Sequence, residues 1–212
     1  MKSKIKKMNI LAIGAHPDDI EIGCGGTLAK YADYEHNIFL YIATCGTAGG
    51  DGTVRKREQE KAAEILKVKE IFWGEYIDTE IEIHKEAIMK IENVIKTVKP
   101  DSIFINFPDD THQDHRHMAA ITNSATRYIR NVLFYETPTT QNFMPNVFVD
   151  ISDKYLESKF KLLKAHESQV DRTNISGISI LEVANSTAHF RGFQARVAFA
   201  EAFHSLRLFI NI

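Results

Sequence analysis

The stretch "MNILAIGAHPDDIEIGCGGTLAKYA", residues 8–32, decides the fold. It starts with an apolar run, residues 8–15, that is typical of a strand buried on both faces. The run leads directly into His-Pro-Asp-Asp at residues 16–19, and a glycine pair then opens a helical pattern. Adjacent carboxylates repel each other unless positive charge lies nearby. The end of this strand therefore predicts a helix N-terminus, a basic side chain or a metal ion beside the two aspartates.

The composition indicates one globular domain that spans residues 1–212. The chain has 212 residues, 44% of them hydrophobic and 25% charged, and a net charge of −2. These values are typical of a globular protein with a sizeable core. The near-neutral net charge lacks the excess of basic residues that is typical of nucleic-acid-binding proteins, so we expect no nucleic-acid partner. No apolar run reaches the roughly 18 residues that a transmembrane segment needs.

Two features lead us to expect a cytoplasmic location. Lysines at positions 2, 4, 6 and 7 precede no apolar segment with a cleavage site. They therefore predict a solvated chain end rather than a signal peptide. Cys24 and Cys45 stand among apolar or small residues, which indicates buried free thiols in a reducing compartment.

Apolar β-rich runs alternate with amphipathic stretches along the chain. The runs predict strands at residues 8–15, 37–45, 70–76, 102–107, 131–136 and 146–150. The amphipathic stretches predict helices at residues 27–36, 54–66, 83–98, 115–129, 152–165 and 191–208. This alternation indicates an α/β fold: a Rossmann-like, doubly wound, mostly parallel sheet with helices on both faces. In the common strand order 3-2-1-4-5-6, strands one and four are neighbours, and their carboxyl ends form the binding site.

A second polar cluster, "PDDTHQDHRH" at residues 108–117, follows the predicted fourth strand. The topology places it opposite His-Pro-Asp-Asp. Two imidazoles and one carboxylate, with one open position, are a ligand set that catalytic zinc accepts. His16 and Asp19 are three residues apart across a turn and can aim at one point, and His115 completes the set.

The remaining polar residues of the two clusters suggest catalytic roles. Asp18 is then free to act as a general base, and His112 to protonate a leaving group or stabilise an oxyanion. Asp114 can orient a histidine, and we expect Asp114 or another nearby carboxylate to raise the pKa of His112. We expect Asp109 and Asp110 to lie in a solvated turn.

The segments "AHPDDIEIGCGGTLA" and "HQDH" resemble the PIG-L/LmbE-like family of zinc-dependent N-acetyl-sugar deacetylases, and the similarity covers nearly the whole chain. The resemblance implies that His16, Asp19 and His115 bind one zinc ion per chain, with other divalent transition metals left open. It also implies that Asp18 is the general base. His112 is then the acid or the oxyanion stabiliser. The sequence departs from the family in having Gln113 where Pro is frequent and Lys67 where Gly is frequent.

Two further residues are candidates for substrate binding. Arg55 belongs to a segment that resembles the family's Arg-x-x-Glu helix, and it lies near the glycine-rich loop at residues 46–52. The alternative for Arg55 is a surface ion pair with Glu58. His166, in "HESQ", either lines the substrate pocket or has an ordinary role at a helix C-terminus. We expect His117 to lie at the surface.

The predicted reaction is removal of the acetyl group from an N-acetylated amino sugar or sugar conjugate, which releases acetate and a free amine. A deacylase or esterase that acts on a non-sugar substrate is an alternative with the same chemistry. A metal-independent nucleotide-binding module is an alternative from another class, although the glycine spacing does not match the dinucleotide fingerprint. An aspartate N-cap alone would also explain His-Pro-Asp-Asp. The sequence leaves a homo-oligomer open.

Overall fold

The centre of the sheet is β1 (Asn9–Gly14), the strand that ends in His-Pro-Asp-Asp. A computed structural model of the chain describes residues 6–210, so the lysines at positions 2 and 4 lie outside the described residues. β1 pairs in parallel with β2 (Asn37–Thr44) on one side and with β4 (Ser102–Asn106) on the other. Helices cover both faces of β1, and its apolar side chains are buried throughout. This double burial explains why the run is continuously apolar rather than alternating.

The sheet has seven strands in the described part of the chain. The outer strands are β3 (Glu70–Tyr76), β5 (Val132–Tyr135), β6 (Val147–Asp150) and β7 (Ala200–Arg207). The order is β3-β2-β1-β4-β5-β7-β6. The first five strands are parallel, and β7 is antiparallel to both β5 and β6. The prediction of a mostly parallel, doubly wound sheet is therefore confirmed, including the adjacency of β1 and β4.

Two layers of helices enclose the sheet. The helices are α1 (Asp19–Asp33), α2 (Gly52–Leu66), α3 (Lys85–Val98), α4 (Gln113–Ala125), α5 (Ser152–Ala165) and α6 (Ile180–Ala195). Leu11 and Ile13 of β1 pack on the face covered by α3 and α4. Ile10 and Ala12 pack on the face covered by α1, α2 and α5. No helix among residues 6–210 is both long enough and apolar enough to cross a membrane.

Two predicted helices differ from the structure. The prediction of a helix at residues 191–208 is wrong. α6 ends at Ala195, where Arg196 adopts a left-handed conformation (φ 64°), and β7 follows. The alternating small residues of β7 fit a strand between β5 and β6, but alanines also favour helices, so the local pattern was ambiguous. The first helix begins at Asp19 rather than at residue 27. The last two residues of His-Pro-Asp-Asp are therefore the N-cap and the first residue of α1.

Gly23 in α1 allows this helix to lie directly against β5. A Cβ atom at Gly23 would lie 2.0 Å from Cδ2 of Tyr135, whereas a Cβ at Gly25 would lie 3.5 Å from Cδ1 of Leu162. Gly23→Ala should therefore lower the free energy of unfolding by about 1–3 kcal/mol through overpacking. For a chain of this size that shift corresponds to a Tm lowered by roughly 2–4 °C per kcal/mol.

Thermal denaturation followed by circular dichroism measures the effect, with Gly25→Ala as the matched control. The control replaces a neighbouring glycine of the same helix where a methyl group makes only an ordinary contact. Equal Tm values for the two variants would contradict the close approach of α1 to Tyr135.

Candidate active site

The two polar clusters meet at the carboxyl ends of β1 and β4, as the predicted topology requires. His16 lies in the loop between β1 and α1, and His112 and His115 lie at the start of α4. The ring centroid of His16 is 4.6 Å from that of His112 and 5.4 Å from that of His115. Segments nearly a hundred residues apart in sequence thus form one cluster of three imidazoles.

The backbone directs the two adjacent carboxylates to different partners. Asp18 occupies the N-cap position of α1 in a left-handed conformation (φ 94°). Its backbone N–H donates to Oε1 of Gln59 at 3.3 Å. Asp19 then begins the helix with its side chain folded back onto β1, where Oδ2 accepts the N–H groups of Ala15 and His16, each at 3.0 Å. The left-handed residue therefore separates two carboxylates that the sequence places side by side.

The carboxylate of Asp19 lies between two imidazoles. Oδ1 is 3.2 Å from Nε2 of His115, and Oδ2 is 3.5 Å from Nδ1 of His16. Burial alone raises the pKa of Asp19, but the charge and hydrogen bonds of the two histidines hold it well below its usual range. Asp19 is therefore an anion in the folded protein.

Each of the two histidines also has a carboxylate on its far ring nitrogen. Nε2 of His16 lies 3.0 Å from Oδ1 of Asp78 and 3.2 Å from Oδ2 of Asp114. Nδ1 of His115 lies 3.1 Å from Oδ2 of Asp110. Metal-binding histidines usually have this arrangement, in which an outer carboxylate fixes the ring and the inner nitrogen faces the ion.

Two of the three outer carboxylates, Asp110 and Asp78, differ from the sequence expectations. Asp110 was expected in a solvated turn, but it is buried and also accepts hydrogen bonds from Thr137 and Thr140. Asp114, expected to orient a histidine, is fully buried and lies with Oδ2 3.2 Å from Nε2 of His16. Asp78 was missed altogether. The signal for it was its position directly after β3, at the same edge of the sheet as the two clusters.

Two groups of side chains in the described residues have donor atoms close enough for a metal ion. His16, His112 and His115 form one group, and His16, Asp78 and Asp114 form the other, with all donor atoms in each group within 4.8 Å. In the second group, Nε2 of His16 already forms a hydrogen bond with Oδ2 of Asp114 and lies 3.0 Å from Oδ1 of Asp78, and both carboxylates also accept backbone N–H groups. The first group faces the carboxylate of Asp19, so its nitrogen-rich side is where a cation fits.

His112 is the N-cap residue of α4. Its Nδ1 accepts the backbone N–H of Asp114 at 3.3 Å, which leaves the proton of a neutral ring on Nε2. Burial lowers the pKa of His112, and the nearby His16 and His115 lower it further. The expectation that a nearby carboxylate raises the pKa of His112 above its usual value is wrong: Asp19 and Asp114 act in that direction, but burial and the two imidazoles outweigh them. His112 is therefore a neutral hydrogen-bond donor.

Asp18 has a different electrostatic environment from Asp19. Burial raises its pKa to about 6, while the charges of Arg55 and His166 oppose the rise. Its Oδ2 lies 3.4 Å from Nη2 of Arg55, and its side chain lines the cavity described below. Two neighbouring carboxyl groups with opposite pKa shifts are suited to different roles.

Arg55 connects the glycine-rich loop to His-Pro-Asp-Asp. Its Nη1 donates to the carbonyl of Gly46 at 2.7 Å, and its Nη2 donates to the carbonyl of Pro17 at 2.8 Å. The alternative ion pair with Glu58 does not form, since Glu58 accepts from the N–H and Oγ of Ser168, both at 2.7 Å. Arg55 is buried and also lines the cavity.

A cavity of about 390 Å³ lies over this cluster. Its apolar wall consists of Ile22, Pro138, Ile175, Ile180 and Val183. Its polar lining residues include Gln169 and Arg172 in addition to residues of the two clusters. The size suits a sugar-sized ligand.

His166 is among the described residues that do not line this cavity. It is buried, and its Nε2 is 3.5 Å from Oε2 of Glu21. Burial alone lowers the pKa of His166, but the Glu21 carboxylate raises it above its usual value. The half-buried His117 donates through its ring to the carbonyl of Ile81, away from the cavity.

Comparison with known proteins agrees with this architecture. The chain is 35% identical over 176 residues to the uncharacterized deacetylase YaiS of Escherichia coli (strain K12), covering 79% of this chain and 95% of that protein. It is 32% identical over 191 residues to diacetylchitobiose deacetylase of Thermococcus kodakarensis, covering 76% and 69% of the two chains. The structure of N,N'-diacetylchitobiose deacetylase from Pyrococcus horikoshii superposes with a TM-score of 0.80 at 25% identity, covering 97% and 86% of the two chains.

The sequence profile of one family, PIG-L, described as GlcNAc-PI de-N-acetylase, matches residues 11–126. This segment runs from β1 through the whole of α4 and therefore contains both polar clusters. The mostly parallel sheet, the paired clusters and these similarities lead to one assignment: the chain belongs to the PIG-L family of deacetylases.

Proposed function

We propose that this protein is a metal-dependent hydrolase that removes the acetyl group from an N-acetylated amino sugar or sugar conjugate. The observation that carries the proposal is the set of two histidines, each held by an outer carboxylate, on either side of Asp19. Beside them, Asp18 has a pKa raised to about 6, which places it close to the range of a general base at neutral pH.

His16, Asp19 and His115 are the residues that we propose to hold the metal. Two imidazole nitrogens and one carboxylate are donors that zinc prefers, and three protein ligands leave one position open for catalysis. We therefore propose one zinc ion per chain. When bound, such an ion polarises a carbonyl group and makes water acidic at neutral pH.

The chain's own residues supply the proton transfers. Asp18 accepts a proton from the attacking water, whose oxygen bonds to the acetyl carbon. Nε2–H of His112 donates to the carbonyl oxygen as that atom becomes negative, which stabilises the transition state. The bond between carbon and nitrogen then breaks, and the proton that Asp18 took from the water is delivered to the nitrogen. The products are acetate and a free amine.

The substrate class rests on the relatives and on the cavity. The relatives named above include two diacetylchitobiose deacetylases, and the cavity here has room for a sugar unit. We propose Arg55 as a substrate contact, since its side chain reaches the cavity. Gln169 and Arg172 line the same cavity and join it as candidates. A substrate contact of His166 stays a prediction.

Acetate release measures the proposed activity directly. Purified protein with added Zn²⁺ should release acetate from N-acetylglucosamine or its β-linked disaccharide, and a strong chelator should abolish the release. An acetyl ester of similar size serves as the comparison substrate and addresses the esterase alternative. Full activity after the chelator has removed all bound metal, confirmed by elemental analysis, would contradict the proposal.

Variants of the two adjacent aspartates should separate the loss of catalysis from the loss of metal binding. Asp18→Asn should lower kcat by roughly 10²–10⁴-fold, the usual contribution of a general base, while the metal content stays unchanged. Asp19→Asn is the matched control, because it makes the same chemical change one residue away and should lose the metal. Loss of metal from Asp18→Asn instead would show that Asp18 is a ligand.

Asp110 should contribute to metal affinity through His115, because their contact of 3.1 Å fixes the ring. Asp110→Asn should weaken metal binding by roughly 10–100-fold, as removal of an outer carboxylate typically does. The matched control is Asp109→Asn, which alters the exposed neighbour whose carboxylate binds only Asn142 in the described contacts. Competition with a chromophoric chelator measures both affinities, and equal values would rule out this role for Asp110.

A further inference from the structure

The helix that begins with the active-site aspartates is interrupted one turn later. Cys24 has non-helical dihedral angles (φ −144°, ψ 17°), so α1 consists of a short first segment, Asp19 to Gly23, and a longer second segment. We call the first segment the catalytic turn. A break in a helix leaves carbonyl groups before it and N–H groups after it without partners inside the helix.

A buried ion pair binds both sides of this break. Nζ of Lys159, on α5, donates to the carbonyl of Ile22 at 2.6 Å. The carboxylate of Glu201, on β7, accepts the N–H of Gly26 at 2.9 Å and that of Thr27 at 2.7 Å. Lys159 and Glu201 also bind each other at 2.7 Å. The ammonium thus faces the C-terminal end of the catalytic turn and the carboxylate faces the N-terminus of the second segment, as the helix dipole favours.

The burial of this pair argues for a role beyond stability. The exposed fractions of the side chains are only 4% for Lys159 and 3% for Glu201. Removing two charges from water is costly, and apolar side chains of similar volume often stabilise a protein equally well. Apolar side chains could not, however, bind the free carbonyl and N–H groups at the break. The pair therefore determines how the two segments meet.

The catalytic turn borders the site and the cavity together. Asp18 and Asp19 lie at its start, and the side chain of Ile22 lines the cavity. α5 and β7, which hold the pair, are separate from α4, where His112 and His115 lie. Any change in the angle of the catalytic turn changes the distances between these aspartates and these histidines.

We infer that Lys159 and Glu201 are positioning residues for catalysis, which hold the catalytic turn at the angle that brings Asp18 and Asp19 to the histidines of α4. This inference rests on the proposed deacetylase function. A displacement of about 1 Å at a reacting group can lower a rate by roughly 10²-fold. Lys159 and Glu201 neither line the cavity nor contact a proposed metal ligand directly. Their effect on catalysis therefore passes through the backbone of α1.

The test compares Lys159→Met and Glu201→Gln, singly and together, with the control variant Ile91→Ala. Ile91 is buried on α3, on the opposite face of the sheet, so the control lowers stability without contacting α1. Steady-state kinetics with N-acetylglucosamine or its disaccharide, at saturating Zn²⁺ and well below every Tm, separates kcat from KM. The visible absorption spectrum of the Co²⁺-substituted proteins reports the ligand geometry without depending on activity.

We expect kcat to fall by roughly 10–100-fold in both single variants, with a much smaller change in KM and an altered Co²⁺ spectrum. The kcat of the double variant should be no lower than that of the less active single variant. Ile91→Ala should keep the wild-type kcat and spectrum. Glu201→Gln retains the size of the side chain and an accepting oxygen, so it decides the question alone if Lys159→Met does not fold.

Two outcomes contradict the inference in different ways. If the wild-type protein releases acetate and the pair variants match Ile91→Ala in kcat and spectrum, the pair is only structural and the proposed function survives. If the wild-type protein itself neither binds the metal nor releases acetate, the proposed function fails, and the positioning role fails with it.

Discussion

The constraint on which the structure depends is the burial of the Asp19 carboxylate between two imidazoles. A buried anion needs a compensating partner, because taking a carboxylate out of water costs several kcal/mol even after relaxation. Asp19 satisfies this need with two backbone N–H groups and with His16 and His115. These partners lie directly after β1 and at the start of α4, so β1 and β4 must be neighbours and both loops must turn toward the same point.

The outer carboxylates extend this constraint to the rest of the sheet edge. Asp78 follows β3, Asp110 follows β4 and Asp114 opens α4, and each binds the far nitrogen of a histidine that faces Asp19. Negative charge therefore surrounds the imidazoles on both sides. Such a concentration of carboxylates is stable only with a cation at its centre, whether a proton on each ring or a metal ion. The stability of the fold and the proposed chemistry of the site thus both require a cation at this position.

The sequence predicted those parts of the structure whose signal is local. β1 is apolar along its whole length, and His-Pro-Asp-Asp marks its end, so the central strands and the meeting of the two clusters followed from the pattern. β7 was missed because its alanines are compatible with a helix and only its position between β5 and β6 makes it a strand. Asp110 was misjudged because its burial depends on Thr137 and Thr140, about thirty residues away. Asp78 has no motif, and only the strand order brings it to His16.

The left-handed conformation of Asp18 explains how two carboxylates can be adjacent in sequence and yet differ in chemistry. A non-glycine residue in this region costs of order 1–3 kcal/mol, although aspartate tolerates it better than most residues. Glycine would remove the strain, but it would also remove the carboxylate that lines the cavity. Gln59 and Arg55 hold the strained residue in place through its N–H group and its side chain. The strain thus separates the partners of Asp18 from those of Asp19, and this separation gives the two groups opposite pKa shifts.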